Sequence, residues 1–128
     1  MMTVHQIVSK DQKRVHTISP DATVQAAVQI MASERISALP VVEADRLVGI
    51  VSERDYVRKV ASQRIPAWSV KIHEIMTPDV ITVTPQDSIK HCMKLMATNR
   101  IRHLPVMESG ALTAVISITD VVRALDGQ

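Results

Sequence analysis

The chain is expected to fold as an α/β (α+β) protein made of two tandem β-α-β-β-α repeats, and three observations predict this. Residues 15 to 60 lie over residues 80 to 125 at one offset, 80 − 15 = 65, without gaps. In each copy, short apolar alternations flank a longer run at helical spacing. Each copy also closes a strand with Ser-x-x-Asp ahead of an apolar-periodic run, the signature of a helix start. Two copies make a pseudo-symmetric pair rather than a solenoid.

The repeat is specific in its residues. Val15, Thr17 and Pro20 return as Val80, Thr82 and Pro85, and Met31, Ala32, Arg35 and Ile36 as Met96, Ala97, Arg100 and Ile101. Leu39, Pro40, Val41 and Glu43 return as Leu104, Pro105, Val106 and Glu108. Leu47, Ser52, Asp55, Val57 and Arg58 return as Leu112, Ser117, Asp120, Val122 and Arg123.

Taken in order, Val15-His16-Thr17-Ile18 and Val80-Ile81-Thr82-Val83 alternate and read as strands. Ser19-Pro20-Asp21 and Thr84-Pro85-Gln86-Asp87 stop them and start helices. One helix carries Val24, Ala27, Val28 and Met31 on one face, and its counterpart carries Ile89, Cys92, Met93 and Met96. Leu39 to Val42 and Leu104 to Met107 follow as second strands, with proline near the strand start, where a missing N–H is tolerated. Polar turns, Glu43 to Arg46 and Glu108 to Ala111, lead into third strands at Leu47 to Val51 and Leu112 to Ile116, giving hairpins. The closing helices run from Glu53 to about Ser62 and from Ile118 to about Leu125. Gln63 to Pro78 reads as the connection, with Ile72 to Met76 as a short helix leading into the second copy. The division is residues 1–66 and 67–128, together one module.

Composition narrows the function. A unit of under 50 residues is not dependable alone, so the copies are expected to support one another. Tyr56 and Trp68 are the only aromatics, which leaves a Val, Ile, Leu, Ala and Met core and no stacking platform for single-stranded nucleic acid. The net charge of +2 is spread along the chain, not gathered in a basic stripe. Nucleic acid is therefore a weak alternative, through Arg54, Arg58, Lys59 and Arg102. Cys92 is the sole cysteine; it excludes an internal disulfide and suits a reducing cytosol. No apolar run approaches the ~18 residues that span a bilayer, and MMTVHQIVSK lacks the pattern of a targeting segment. A cytoplasmic protein without membrane contact is expected. The five histidines lack ligand spacing, so no metal is expected. Nothing pairs a nucleophile with a base, so no enzyme is expected. Cys92 falls on an apolar helix face and reads as core. Trp68 reads as a cover for the core edge or as a partner anchor.

Ser52-Glu53-Arg54-Asp55 and Ser117-Ile118-Thr119-Asp120 admit two readings. As capping boxes, the serine caps the helix and the aspartate bonds back to the cap N–H. As ligand groups, they use the same geometry. A helix start favours phosphate, and a carboxylate one turn in can accept both hydroxyls of a ribose through charge-assisted bonds. The repeat does not separate these readings.

These motifs carry a resemblance. Gly49-Ile50-Val51-Ser52-Glu53-Arg54-Asp55, Ile75-Met76-Thr77-Pro78, Arg100-Ile101-Arg102-His103-Leu104-Pro105-Val106 and Ser117-Ile118-Thr119-Asp120 resemble a cystathionine-β-synthase (CBS) domain pair, or Bateman module. The chain is most similar to the small stand-alone bacterial members, over about residues 4 to 126. The resemblance implies repeats packed through their sheets with pseudo-twofold symmetry, a homodimer of pairs, and a regulatory role in trans on an unknown protein. It implies clefts for an adenosine compound: AMP, ADP, ATP, NAD or S-adenosylmethionine, with AMP or ATP favoured. One cleft would join Ser52, Arg54 and Asp55 to Thr82, Val83, Ile101, Arg102, His103 and Pro105. The other would join Ser117, Thr119 and Asp120 to Thr17, Ile18, Ile36, Ser37, Ala38 and Pro40. Asp55 and Asp120 would hold ribose, and Ser52, Ser117, Thr119, Arg102 and His103 phosphate. Arg58 and Lys59 are further candidate phosphate contacts, or else a local ion pair with Asp55 or a solvated face on the same helix side. The copies differ at Arg102-His103 against Ser37-Ala38, and at Gly49 against Ala114, where a methyl would crowd a sugar. The first cleft is thus expected to be the tighter anion site. The alternative reading is a ligand-free protein-interaction module.

Overall fold

Cap residues decide where the helices of this fold begin. The computed structural model describes residues 1–8 and 15–127. In chain order these form α1 (Val4–Val8), α2 (Val24–Glu34), β1 (Ala38–Glu43), β2 (Arg46–Ser52), α3 (Glu53–Lys59), α4 (Ile89–Asn99), β3 (His103–Glu108), β4 (Ala111–Ser117) and α5 (Ile118–Asp126). Thr23 caps α2 by accepting the Ala26 N–H, and Ser88 caps α4 by accepting the His91 N–H; such a cap contributes about 1 kcal/mol. Both helices end on an arginine in the left-handed region, Arg35 at φ 56° and Arg100 at φ 54°. Their buried faces are Val24, Ala27 and Met31 in α2, and Ile89, Cys92 and Met96 in α4. Met93, expected on that face, lies at its edge and is 36% exposed.

β1 pairs antiparallel with β2, and β3 with β4. Each hairpin turns through two residues with positive φ: Ala44 and Asp45 at 50° and 62°, Ser109 and Gly110 at 51° and 80°. That combination matches the right-handed twist of the strands. Both hairpins carry a register shift at the same place, between Val41 and Val42 and between Val106 and Met107.

The expected first strands are shorter than the alternation predicts. Each is a single parallel bridge, Ile18 to Val41 and Val83 to Val106. The Ile18 N–H donates to the Pro40 carbonyl and its carbonyl accepts the Val42 N–H. The chain then turns at Ser19 and Pro20, so the ladder stops after one residue.

Two compact units result, and they do not follow the order of the repeats. One comprises His16–Val80, the other Ile81–Gln128 with Met1–Val15. Each has its own apolar core: Ile18, Leu39, Val41, Val51 and Ile72 lie in the first, and Val4, Val83, Ile89, Leu104 and Ile116 in the second. Ile72 to Met76 is helical, as expected, only at its start, and it belongs to the first unit rather than leading into the second copy. Ile72–Glu74 is a 3₁₀ turn laid against the first repeat. The Val24 N–H donates to the Val70 carbonyl, the Ile72 N–H to Ala22 and the His73 N–H to Pro20. The segment before the first repeat does the same for the second. The Ile89 N–H donates to Met2, the Val4 N–H to Asp87 and the His5 N–H to Pro85. Val4-His5-Gln6-Ile7-Val8 thus matches Ile72-His73-Glu74-Ile75-Met76 at a second offset, 72 − 4 = 68. Gln6 and Glu74 even close the same local bond, to the Thr3 and Lys71 N–H groups.

Candidate functional site

Both Ser-x-x-Asp motifs are capping boxes. Asp55 Oδ2 accepts the Ser52 N–H at 2.9 Å and the Ser52 hydroxyl at 3.1 Å, and Ser52 Oγ accepts the Asp55 N–H at 3.2 Å. At α5, Asp120 Oδ2 accepts the Ser117 N–H at 2.7 Å and the Ser117 hydroxyl at 3.0 Å, with the Asp120 N–H on Ser117 Oγ at 3.2 Å. One carboxylate oxygen in each motif is thus committed to the helix start, and both aspartates are partly buried. The structural reading holds for both copies, and it leaves the second oxygen of each acid to be accounted for.

Here the copies part. Asp55 Oδ1 lies 3.3 Å from Lys59 Nζ. The same ammonium donates to the Ile75 carbonyl at 2.8 Å, so it is held from two sides. The local ion pair expected as one alternative for Lys59 is thus present. The corresponding position after Asp120 is Ala124. Asp120 instead exerts its field on His103, whose position in the first repeat is Ala38. Burial lowers the His103 pKa most, Asp120 opposes that by raising it, and Arg102 lowers it further. The imidazole is therefore neutral near pH 7.

The remaining candidates take matched places in the two units. Ala38 pairs with Ser52 at the open end of one hairpin, and His103 with Ser117 at the other. The Ser37 carbonyl accepts the Glu53 N–H and the Arg102 carbonyl accepts the Ile118 N–H. Thr17 and Thr82 are exposed beside buried Ile18 and Val83; Pro40 and Pro105 are buried in their strands, with Ile36 and Ile101 partly buried ahead of them. Arg54, Arg58 and Thr119 are exposed on their helices. An open groove of about 570 Å³ follows α5, lined by Arg102, Ile118, Thr119, Val122, Arg123 and Asp126. It brings Arg102 beside Thr119, which the resemblance assigns to different clefts. Val122, Arg123 and Asp126 are not among the site residues expected from the sequence. The i, i+4, i+7 spacing of Thr119, Arg123 and Asp126 was the available signal.

Gly49 is closed in by its own unit. A Cβ there would lie 2.6 Å from Met76 Sδ and 3.1 Å from the Thr77 carbonyl, because Thr77 bridges to Ile50. The glycine is required by that crossing segment. Cys92 is fully buried, and burial, then Asp87, push its thiol pKa up to about 11. It is core, as its helix face implies. Trp68 does not cover the core edge: it is 66% exposed. Among the described residues, no group of three or more His, Cys, Asp or Glu could hold a metal, and no helix is long and apolar enough to cross a membrane.

Comparison with known proteins agrees with this architecture. The sequence model of the CBS domain matches residues 4–62 and 72–127. The chain is 44% identical over 110 residues to the mitochondrial CBS domain-containing protein CBSX3 of Arabidopsis thaliana, covering 82% of this chain and 53% of that one. It thus spans about half the length of that relative. A solved CBS-domain protein of Burkholderia ambifaria is 39% identical and superposes with a TM-score of 0.94 over 99% of this chain and 96% of its own. The CBS domain pair of the protein MJ0100, solved with 5′-methylthioadenosine and S-adenosyl-L-methionine, is 26% identical with a TM-score of 0.87 over 99% of this chain and 98% of its own.

Proposed function

The chain belongs to the CBS domain family, and from that premise we propose that it is a non-catalytic regulatory module whose input is an adenosine nucleotide. The observation that carries this reading is the duplicated Ser/Asp cap. Each copy sets a carboxylate and a hydroxyl at a helix start, with one carboxylate oxygen beyond the needs of the cap. Such a carboxylate suits the hydroxyls of a ribose. The related domain pair in complex with two adenosine compounds supports the ligand class. The residues named from the resemblance, among them Ser52, Asp55, Thr82, Arg102, His103, Thr17, Ser117, Thr119 and Asp120, are the groups proposed to meet base, sugar and phosphate. A bound nucleotide stabilises only the states it favours, and that differential affinity is the regulatory output.

Thermal shift with AMP, ATP, NAD and S-adenosylmethionine tests the reading on protein stripped of carried-over nucleotide. A ligand at 100 times its Kd adds about 2.7 kcal/mol. No shift with any of the four sinks it.

A second reading, an interaction module without ligand, draws on exposed apolar side chains. Val57 and Val122 occupy equivalent helix positions and are 54% and 44% exposed. We propose that this face supports self-association, the homodimer being the expected form. Sedimentation of the full chain measures it, and a monomer at all concentrations rejects it.

A further inference from the structure

We propose that the two repeats are not equivalent receptors: Asp120 reads the ribose, while Lys59 occupies the corresponding carboxylate, Asp55, and keeps it closed. This rests on the adenosine reading above and adds which repeat serves it and what silences the other. It reverses the ranking expected from Arg102 and His103.

The argument starts from what each acid has left after capping its helix. Both spend Oδ2 on the serine. In the first repeat Oδ1 is met by Lys59 at 3.3 Å, and Lys59 is anchored at its other side by the Ile75 carbonyl at 2.8 Å. An ammonium fixed between two oxygens supplies to Asp55 what a sugar hydroxyl would supply, together with a full charge. A ribose arriving there must displace it, leave the Ile75 carbonyl without that donor, and replace a charge-assisted bond with neutral hydroxyls. An isolated i, i+4 pair on an open helix would be a weak obstacle. The second anchor makes this one different.

That anchor is itself a product of the fold. Ile75 belongs to the segment laid across the first repeat, where Thr77 bridges to Ile50. In the second repeat the residue four after the acid is Ala124, so the position equivalent to Lys59 cannot repeat the bridge. Asp120 raises the His103 pKa against the effect of burial, and that imidazole brings no ammonium of the kind Lys59 brings to Asp55.

Calorimetric titration of the full chain with AMP and with its 2′,3′-dideoxy analogue tests this. We expect one AMP site per chain, preferred over the dideoxy compound by about tenfold or more, as loss of a charge-assisted bond predicts. Asp120→Asn keeps an oxygen for the Ser117 cap and should erase that preference. Lys59→Ala should add a second AMP site. Ala124→Lys, which copies the first repeat, should weaken the existing one, with circular dichroism confirming an intact fold. Two equal sites in the unaltered chain, a site lost with Asp55→Asn rather than Asp120→Asn, or a Lys59→Ala chain that still binds one AMP would each overturn the inference while leaving the adenosine reading standing. No AMP bound by either the unaltered chain or Lys59→Ala overturns the inference, while the adenosine reading is then decided by the thermal shift with ATP, NAD and S-adenosylmethionine.

Discussion

Lys59 and Ala124 show how much one side chain decides when two copies share a backbone. The same holds at Gly49. Its absent Cβ leaves room for Met76 and for the Thr77 carbonyl, and the carbonyl cannot swing aside as a thioether can. Gly49→Ala should therefore cost about 1–3 kcal/mol, the usual range for overpacking, read from the urea midpoint without ligand. An unchanged midpoint would mean that the crossing segment yields freely. His103 makes a second prediction at this scale. Its folded pKa is lowered, so the unfolded chain takes up the proton first as the pH drops below ~6.5. The stability that neutral His103 provides is complete above that value and is lost as the pH falls towards the folded pKa. His103→Ala, which copies Ala38, should lose less stability than the parent between about pH 7.5 and about pH 5.5. Equal losses would assign the acid sensitivity to other groups.

Elements were more legible than their edges. Helical spacing and the Ser-x-x-Asp starts placed α2 to α5 well, because capping and an apolar stripe are local. The hairpins were legible for the same reason. Two features were not. Alternation over Val15 to Ile18 and Val80 to Val83 looked like full strands, but a ladder needs a partner backbone that continues alongside, and only Ile18 and Val83 have one. The local pattern of Ile72 to Met76 resembles a lead into the next copy, because its match to Val4 to Val8 lies at an offset of 68, outside the dominant offset of 65. The candidate residues themselves were legible by motif. The partner of Asp55 was recognised only as an alternative, since a helix-face position does not say which neighbour a lysine chooses. Turn chemistry supplies the prediction here. Ala44 holds φ 50° in a two-residue turn, a conformation that costs a Cβ-bearing residue roughly 1–2 kcal/mol and that asparagine tolerates better. Ala44→Asn should raise the stability of the first hairpin, measured by slower amide exchange at Val41 and Gly49. Faster exchange would contradict the turn assignment.

At the scale of the whole chain, the unit boundaries matter more than the repeat boundaries. His16–Val80 is continuous and carries its own covering segment, with Ile72 fully buried in its core. The second unit takes Val4 and the Met2 carbonyl from the far end of the chain. A fragment of residues 16–80 should melt cooperatively. A fragment of residues 81–128 should not, and adding a peptide of residues 1–15 should restore its ellipticity. A marginal size of this order leaves no reserve for losing a core residue. Cooperative melting of 81–128 alone would show that α1 is dispensable.

The covering of the second unit by α1 also sets a timetable for biosynthesis. Synthesis at about 5–20 residues per second delivers Val4 several seconds before its core partners Ile89, Leu104 and Ile116. The first unit can close once Val80 has left the ribosome. The segment from Met2 to Val8 must wait, unsealed, until Ile116 has been made. Nascent chains halted near residue 110 should therefore resist protease across Val24 to Val51 while remaining open to cleavage across Val4 to Val8.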